Sequence, residues 1–159
     1  MLEVKLLMLL FAANSAPVLA HKLLGSRWQT PVDGGRLLGD GRPLFGASKT
    51  WRGIVAAILL TAATAMLLGL PASWGVLFGL CSMLGDLLSS FIKRRMGKPA
   101  SSQALVLDQI PEALLPLLAA HWLLDISWVA VIIVSLIFML VELSVSPLLC
   151  KWGIRAKPY

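Results

Sequence analysis

Charged side chains are scarce in this sequence: Asp, Glu, Lys and Arg make up 14% of its 159 residues, whereas about 25% is usual in soluble domains. Acidic residues are the rarest, with eight against 14 basic residues and a net charge of +6. Hydrophobic residues reach 58%, and the mean hydropathy is +0.83. A small domain buries too little of its surface to hide this apolar excess from water. A soluble enzyme and a disordered chain are therefore excluded, and an integral membrane protein is predicted.

Cysteine and histidine are also rare, with two of each. Cys81 and Cys150 lie in apolar runs and outside any CxxC pair, which excludes a disulfide scaffold. His21 and His121 lack the close spacing of a metal-binding pair, so a zinc site is not expected. Carboxylates, lysines and arginines remain as the groups that could carry chemistry.

Five apolar stretches are long enough to cross a bilayer, for which about 20 residues are needed. They predict an all-α integral membrane protein with transmembrane helices at about 6–24, 54–70, 74–92, 104–124 and 128–150. We expect one polytopic domain over residues 1–159, with polar loops at about 25–53 and 93–103.

The distribution of basic residues predicts the orientation of this domain. With five spans, both polar loops and the C-terminal tail lie on one side, which then holds every Lys and Arg except Lys5. The positive-inside rule places that side in the cytoplasm. The N-terminus is thus expected outside the cell (plasma or inner) membrane and the C-terminus in the cytoplasm. A cleaved signal peptide ending near Ala20 is disfavoured because Glu3 cancels the charge of Lys5.

Asp86 lies within the third predicted span, where a charged side chain is costly and usually functional. Residues at spacings of three and four place it on one small and polar helix face. That face comprises Gly75, Gly79, Ser82, Asp86, Ser89, Ser90 and Lys93. The glycines are typical of a close helix contact. The carboxylate below a basic helix end instead predicts a functional cavity.

Asp108 begins the fourth span and flanks the same cytoplasmic loop as Asp86. Two carboxylates among Lys and Arg residues suit Mg²⁺ that carries a polyphosphate. We therefore predict that Asp86 and Asp108 hold a metal, with Lys93 and Arg94 completing the phosphate-binding group. A helix-terminal acid favoured by the helix dipole is the alternative for Asp108.

The first polar loop combines glycines with charges of both signs. Residues 31–53 read PVDGGRLLGDGRPLFGASKTWRG and contain six glycines. Glycine-rich turns let backbone N–H groups approach phosphate, and basic side chains supply the matching charge. A basic linker on anionic lipid is the alternative. The predicted substrate-binding residues are Asp33, Arg36, Asp40, Arg42, Lys49 and Arg52 of this loop, with Ser89 and Ser90 of the third span.

The loop motif, followed by GDLLSSFIKRRMGKP at residues 85–99 and LDQ at 107–109, resembles the CDP-archaeol synthase family. This small family is related to the phosphatidate cytidylyltransferases. The resemblance implies that a lipid phosphate attacks the α-phosphorus of CTP, so that a CDP-lipid forms and pyrophosphate leaves. It also implies Mg²⁺ and a cytoplasm-facing cavity open to lipid. The segment from Ser90 to Arg94 is similar to the S-x-x-K-R part of the wider cytidylyltransferase signature, whose later acidic elements are absent from this sequence.

Two other functions compete with a cytidylyltransferase. A CDP-alcohol phosphotransferase would need a longer acidic motif than Asp33-Gly34-Gly35-Arg36 provides. A small transporter or channel subunit would explain a buried Asp86 and Glu142, but not the glycine-rich loop. The expected partners are CTP, a membrane lipid phosphate (ether-linked or phosphatidate) and the bilayer. Nucleic acid is not expected, and the oligomeric state stays open.

Overall fold

The protein consists of five α-helices, as seen in a computed structural model that describes residues 1–100, 102 and 104–151. The side chains of residues 105–106 and 147–150 lie outside this description. The helices are α1 (Leu2–Leu24), α2 (Trp51–Leu67), α3 (Ala72–Arg95), α4 (Leu105–Leu124) and α5 (Trp128–Lys151). The predicted all-α class is confirmed. By length and composition, α1, α3 and α5 are candidate membrane spans, and α2 is a shorter apolar helix.

The helix ends extend further into the polar loops than the sequence predicted. Helix α2 begins at Trp51 because the extended residue Thr50 caps it, with its hydroxyl accepting the Gly53 N–H. Helix α3 continues through Arg95 because basic side chains are stabilising in the last turn of a helix. The two loops therefore comprise residues 25–50 and 96–104, and the predicted loop residues Lys93 and Arg94 are helical.

Glycines bring α3 close to both of its neighbours. A Cβ atom at Gly75 or Gly79 would overlap Thr61 of α2, and one at Gly85 would overlap the Pro111 carbonyl oxygen of α4. The predicted glycine contact on α3 is thus present, and it continues at Gly85 on a second face. Because its backbone touches both α2 and α4, α3 is the central helix of the site.

The apolar core lies at the end of the bundle where α1 begins. Its largest fully buried side chains are Leu6, Leu9 and Leu10 of α1, Phe78 of α3, Leu117 of α4, and Val131 and Phe138 of α5. The rings of Phe11 and Phe138 pack at a centroid distance of 5.5 Å. The charged residues of α3 and α4 lie at the opposite end of the bundle, beside the two loops.

Candidate functional site

Lys49 and Asp86 form an ion pair between the first loop and α3. Lys49 Nζ lies 2.6 and 2.7 Å from the two carboxylate oxygens of Asp86. Both side chains are about three-quarters buried. Burial opposes the charge on Lys49, but Asp86 outweighs it together with Glu112 and Asp108, so the pKa of Lys49 lies above its ordinary value. Lys49 therefore stays protonated throughout the physiological pH range.

A second ion pair joins α3 to the start of α4. Lys93 Nζ lies 2.6 Å from Asp108 Oδ1 and donates a 3.1 Å hydrogen bond to the Ser102 carbonyl oxygen. Asp108 Oδ2 also accepts the Ala104 N–H at 2.9 Å, which satisfies a backbone donor at the start of its own helix. Asp108 therefore combines the helix-terminal role with a position in the charged site.

The two pairs lie along one face of α3. Asp86 and Lys93 are seven residues apart, which is about 10 Å along a helix. The Ser89 hydroxyl between them donates to the Asp86 carbonyl oxygen at 2.9 Å, and Ser90 is almost fully buried. The structure thus brings Lys49 of the first loop to the predicted group of Asp86, Lys93 and Asp108.

We call Lys49, Asp86, Lys93 and Asp108 the charged row. Arg94 lies beside it and contacts both loops. Its Nη2 donates to the Pro99 carbonyl oxygen at 2.8 Å. Its Nη1 is close to Gly46, where an added Cβ would stand 3.3 Å away. Gly46 has a φ of +98°, which glycine adopts readily. Among the described residues, the buried Arg94 Nε has no hydrogen-bond partner, so the guanidinium retains a donor for another group.

Arg95 holds the tip of the first loop against the end of α3. Its guanidinium lies 2.6 Å from both Asp40 Oδ1 and the Pro43 carbonyl oxygen. In the opposite direction, Arg42 Nη1 donates to the Arg95 carbonyl oxygen at 2.6 Å. Asp40 and Arg42 therefore contact protein groups here, and their predicted roles with substrate stay predictions. Arg95 was not among the predicted site residues, although the basic run that includes Lys93 was a signal for it.

Asp33 organises the first loop from within. Its carboxylate accepts backbone N–H groups from Gly35, Phe45 and Gly46 at 3.0, 2.9 and 2.8 Å. Burial opposes its charge, but these hydrogen bonds outweigh burial and lower the pKa of Asp33. Asp33 thus joins the two ends of the loop, and its predicted contact with substrate is untested.

Arg52 and Arg36 lie apart from the charged row. The Arg52 guanidinium donates to the carbonyl oxygens of Gly25 and Arg27, just beyond the end of α1, and contacts His21 Nδ1 at 2.7 Å. Its visible role is to fix α2 against the end of α1. The Arg36 side chain is exposed. The structure does not bring either residue to the Asp86 or Asp108 pair.

The predicted metal ligands, Asp86 and Asp108, are carboxylates, and each already forms an ion pair with a lysine. Within the described residues, His, Cys, Asp and Glu form no group of three or more placed to hold a metal. Mg²⁺ usually takes only one or two carboxylates, with water and phosphate as its other ligands, so Asp86 and Asp108 fit its chemistry. In the same part of the chain, Gln109 Oε1 is buried without a hydrogen-bond donor. Gln109 is a further oxygen that the prediction did not include.

A small cleft adjoins the Lys49–Asp86 pair. It has a volume of about 50 Å³, whereas small-molecule sites occupy about 300–1,000 Å³. Lys49 and Asp86 both belong to the lining of this cleft.

The sequence profile of the family described as CarS-like CDP-archaeol synthase matches residues 1–74 and 71–159. The chain belongs to this family. The resemblance seen in the loop motif and the LDQ segment is thereby confirmed over the whole of the sequence.

Several curated relatives carry the name CDP-archaeol synthase. The CDP-archaeol synthase of Hyperthermus butylicus is 42% identical over 120 residues, covering 70% of this chain and 68% of the relative. That of Pyrobaculum arsenaticum is 35% identical over 121 residues, with 73% and 72% covered. For Thermococcus onnurineus the identity is 38% over 117 residues, and the match spans 62% of the relative's length.

A solved structure shares the fold. It is described as an intramembrane enzyme for archaeal membrane lipid biosynthesis, and it superposes with a TM-score of 0.75 at 30% identity. The match covers 89% of this chain and 90% of the other. Together with the apolar helices, this likeness establishes the chain as a membrane protein.

Proposed function

We propose that this protein is a CTP-dependent cytidylyltransferase that converts a membrane lipid phosphate into a CDP-lipid and releases pyrophosphate. Family membership supports the enzyme class over a transporter. The observation that carries the proposal is the charged row of Lys49–Asp86 and Lys93–Asp108 at one end of an apolar bundle. An archaeal ether-linked lipid phosphate is the favoured substrate because the curated relatives carry the name CDP-archaeol synthase.

The reaction needs charge neutralisation more than a general base. An oxygen of the lipid phosphate attacks the α-phosphorus of CTP, a new P–O bond forms, and the bond to the β-phosphate bridging oxygen breaks. A phosphomonoester has a second pKa of about 6, so the nucleophile is already largely ionised. This chemistry accounts for a site that consists of lysines, arginines and carboxylates.

The ion pairs provide groups of both signs for the two polyanionic substrates. When a phosphate enters, Lys49 and Lys93 can exchange a carboxylate for a phosphate oxygen, and Arg94 can add its unused Nε–H donor. Asp86 and Asp108 would hold Mg²⁺, which supplies neutralisation of the charge on the triphosphate and leaving pyrophosphate. Each lysine is paired with a carboxylate that the proposed reaction uses to hold Mg²⁺.

The membrane placement is part of the same proposal. The basic loops face the cytoplasm, where CTP is available, and the N-terminus lies outside a cell membrane crossed five times. Support comes from the one-sided distribution of Lys and Arg. A site at the cytoplasmic end of the bundle can be reached by a soluble nucleotide and by a lipid that stays in the bilayer.

One assay with two labels tests this function. Purified protein in detergent receives Mg²⁺, a lipid phosphate, and CTP labelled at either the α- or the γ-phosphorus. We expect α-label in the lipid fraction and γ-label in pyrophosphate. A panel of ether-linked and ester-linked lipid phosphates then determines which lipid is preferred. If neither label moves with any lipid in the panel, the proposed function is wrong.

A further inference from the structure

Arg52 is a buried cation that binds neutral acceptors. The ion pairs found among the described residues do not include it. Its guanidinium donates instead to the carbonyl oxygens of Gly25 and Arg27 and contacts the ring nitrogen Nδ1 of His21. A buried charge is costly unless its donors are satisfied. Each of these three acceptors therefore contributes to holding Arg52 in place.

The contact with Arg52 determines where the imidazole ring of His21 carries its proton. A guanidinium stays protonated and can only donate. His21 Nδ1, which lies 2.7 Å from Arg52 Nη2, is therefore the acceptor. The ring is then the neutral tautomer with its proton on Nε2. An imidazolium has two donors and no acceptor, so it could not make this contact.

His121 makes the opposite kind of contact, at the other end of the bundle. Its Nδ1 lies 2.5 Å from the carbonyl oxygen of Ile126. A carbonyl oxygen can only accept, so His121 Nδ1 has to donate. The sequence contains only these two histidines. In their neutral forms, the two rings therefore carry the proton on different nitrogens.

The segment from Lys49 to Arg52 is the last part of the first loop and the start of α2, and it is bound twice to the beginning of that loop. In the backbone, the Val32 N–H donates to the Lys49 carbonyl oxygen at 2.8 Å, and the Trp51 N–H donates to the Thr30 carbonyl oxygen at 3.2 Å. The guanidinium of Arg52 makes the second attachment, just beyond the end of α1. Since Lys49 belongs to the charged row, the position of its ammonium group depends on how this segment is held.

In a step that rests on the proposed function for its effect on turnover, we infer that His21 is a positioning residue: its neutral imidazole orients Arg52, which holds the segment that places Lys49. His21 acts through Arg52 and needs no contact with the charged row. Without the imidazole, the guanidinium keeps its two carbonyl acceptors but loses the contact made by Nη2. The segment then moves more freely, and Lys49 leaves its partner Asp86 for part of the time.

Nitrogen-15 NMR of the two histidines tests the tautomer without a variant in the measured protein. Untagged protein labelled with nitrogen-15 histidine is measured in detergent and mildly alkaline buffer, where free histidine is neutral. We expect Nδ1 to be unprotonated in His21 and protonated in His121. A spectrum of His21→Asn identifies the His21 signals by their loss. A proton on His21 Nδ1, or an average of both tautomers, would overturn the inference.

Two variants separate the acceptor from the rest of the ring. The side-chain oxygen of asparagine can replace Nδ1 as acceptor, so His21→Asn should keep the contact with Arg52, whereas His21→Leu removes it. We expect the protection factors of the Val32 and Trp51 amides to fall about tenfold in His21→Leu, a typical contribution of a hydrogen bond to a charged group. In His21→Asn they should stay within about twofold. His121→Leu is the matched control and should leave both amides unchanged. Equal losses in both His21 variants, or no loss in His21→Leu, would overturn the inference.

The same variants give the readout in the reaction. In the labelled-CTP assay, His21→Leu should lower turnover about three- to tenfold, and His21→Asn should retain it, because only the acceptor is needed. Equal turnover in the two variants would overturn the positioning role. If the unmodified protein forms no CDP-lipid, the proposed function is wrong, and the NMR and exchange results still decide whether His21 holds the segment. If His21→Leu does not fold, Arg52→Lys replaces it, since one ammonium group cannot reach all three acceptors.

Discussion

Lys49 donates to both carboxylate oxygens of Asp86, at 2.6 and 2.7 Å, across 37 residues of sequence. This contact joins the end of the glycine-rich loop to α3, and both residues line the cleft. A pair of this kind is a weak source of stability, because desolvation of both charges offsets their attraction. Loss of one partner is more costly, since the other charge remains without compensation.

The first prediction separates a structural role of this pair from a role in the reaction. We expect Asp86→Asn and Lys49→Met to lose activity by at least about 100-fold each and to lower the Tm. The double variant Lys49→Met/Asp86→Asn should regain much of the Tm, because no unpaired charge is left. It should not regain activity.

Thermal unfolding in detergent and the labelled-CTP assay provide both measurements. An active double variant would mean that the pair only holds the loop to the helix. In that case the metal would have to be sought at other carboxylates.

The carboxylates of the site can be found from the sequence, but the contacts that they make cannot. Asp86 could be found because a charge within an apolar helix is rare and helical periodicity gives its face. Its partner Lys49 could not be found in this way, because a loop with φ values above zero at Gly34, Gly35, Gly41 and Gly46 has no periodicity from which its path can be read.

Two other contacts were not predicted because they also depend on tertiary structure: the contact between α3 and α4, and the contacts of Arg52. Gly75 and Gly79 share the polar face of α3, so a close helix contact there was expected, and α2 makes it. Gly85 lies on another face, and its contact with Pro111 depends on how α4 packs. Arg52 belonged to the basic motif, but its contacts at the end of α1 depend on tertiary structure.

The second prediction concerns Asp108 and magnesium. In Asp108→Asn the amide oxygen can still accept the Ala104 N–H, so α4 should start normally and the Tm should change little. The charge opposite Lys93 is lost. We expect activity to fall by at least about tenfold at low Mg²⁺ and to recover partly as Mg²⁺ is raised.

Asp125→Asn is the control for this measurement. Asp125 is exposed and has a left-handed backbone conformation that asparagine tolerates. If activity depends on the Mg²⁺ concentration in the same way in Asp108→Asn and in the control, Asp108 does not bind the metal and only stabilises the start of α4.

The third prediction is a pH dependence of the first loop. Because the pKa of Asp33 is lower in the folded loop than its ordinary value, its charged form stabilises the loop above that ordinary value. This contribution is lost as the pH falls through the folded pKa. The protection factors of the Phe45 and Gly46 amides, which correct for the slower intrinsic exchange in acid, should therefore fall as the pH is lowered. In Asp33→Asn these protection factors should be low already at neutral pH and should not fall further in acid. Equal protection in both proteins at neutral pH would contradict this role.

The fourth prediction tests the contact between Arg95 and the loop tip. A guanidinium can reach Asp40 and the Pro43 carbonyl oxygen together, whereas a lysine ammonium lacks this planar geometry. We expect Arg95→Lys to increase proteolysis within residues 36–46 and to lower turnover by about three- to tenfold. Arg27→Lys, at an exposed side chain of the same loop, should leave both unchanged. Unaltered proteolysis in Arg95→Lys would show that the loop tip is held by other contacts.

The last prediction concerns the orientation in the membrane, which depends on the one-sided distribution of basic residues. Ser26 lies in the first loop and Ser127 in the short connection between α4 and α5, and both are exposed. Each is replaced by Cys in a background without Cys81 and Cys150. An odd number of spans with basic loops inside places Ser127 outside the cell and Ser26 in the cytoplasm. An impermeant maleimide should therefore label the Ser127→Cys protein in intact cells, and the Ser26→Cys protein only after permeabilisation.

The reverse labelling pattern would show that the topology is inverted and that the site does not face cytoplasmic CTP. Labelling of both proteins in intact cells would show that α2, α3 and α4 do not cross the membrane an odd number of times.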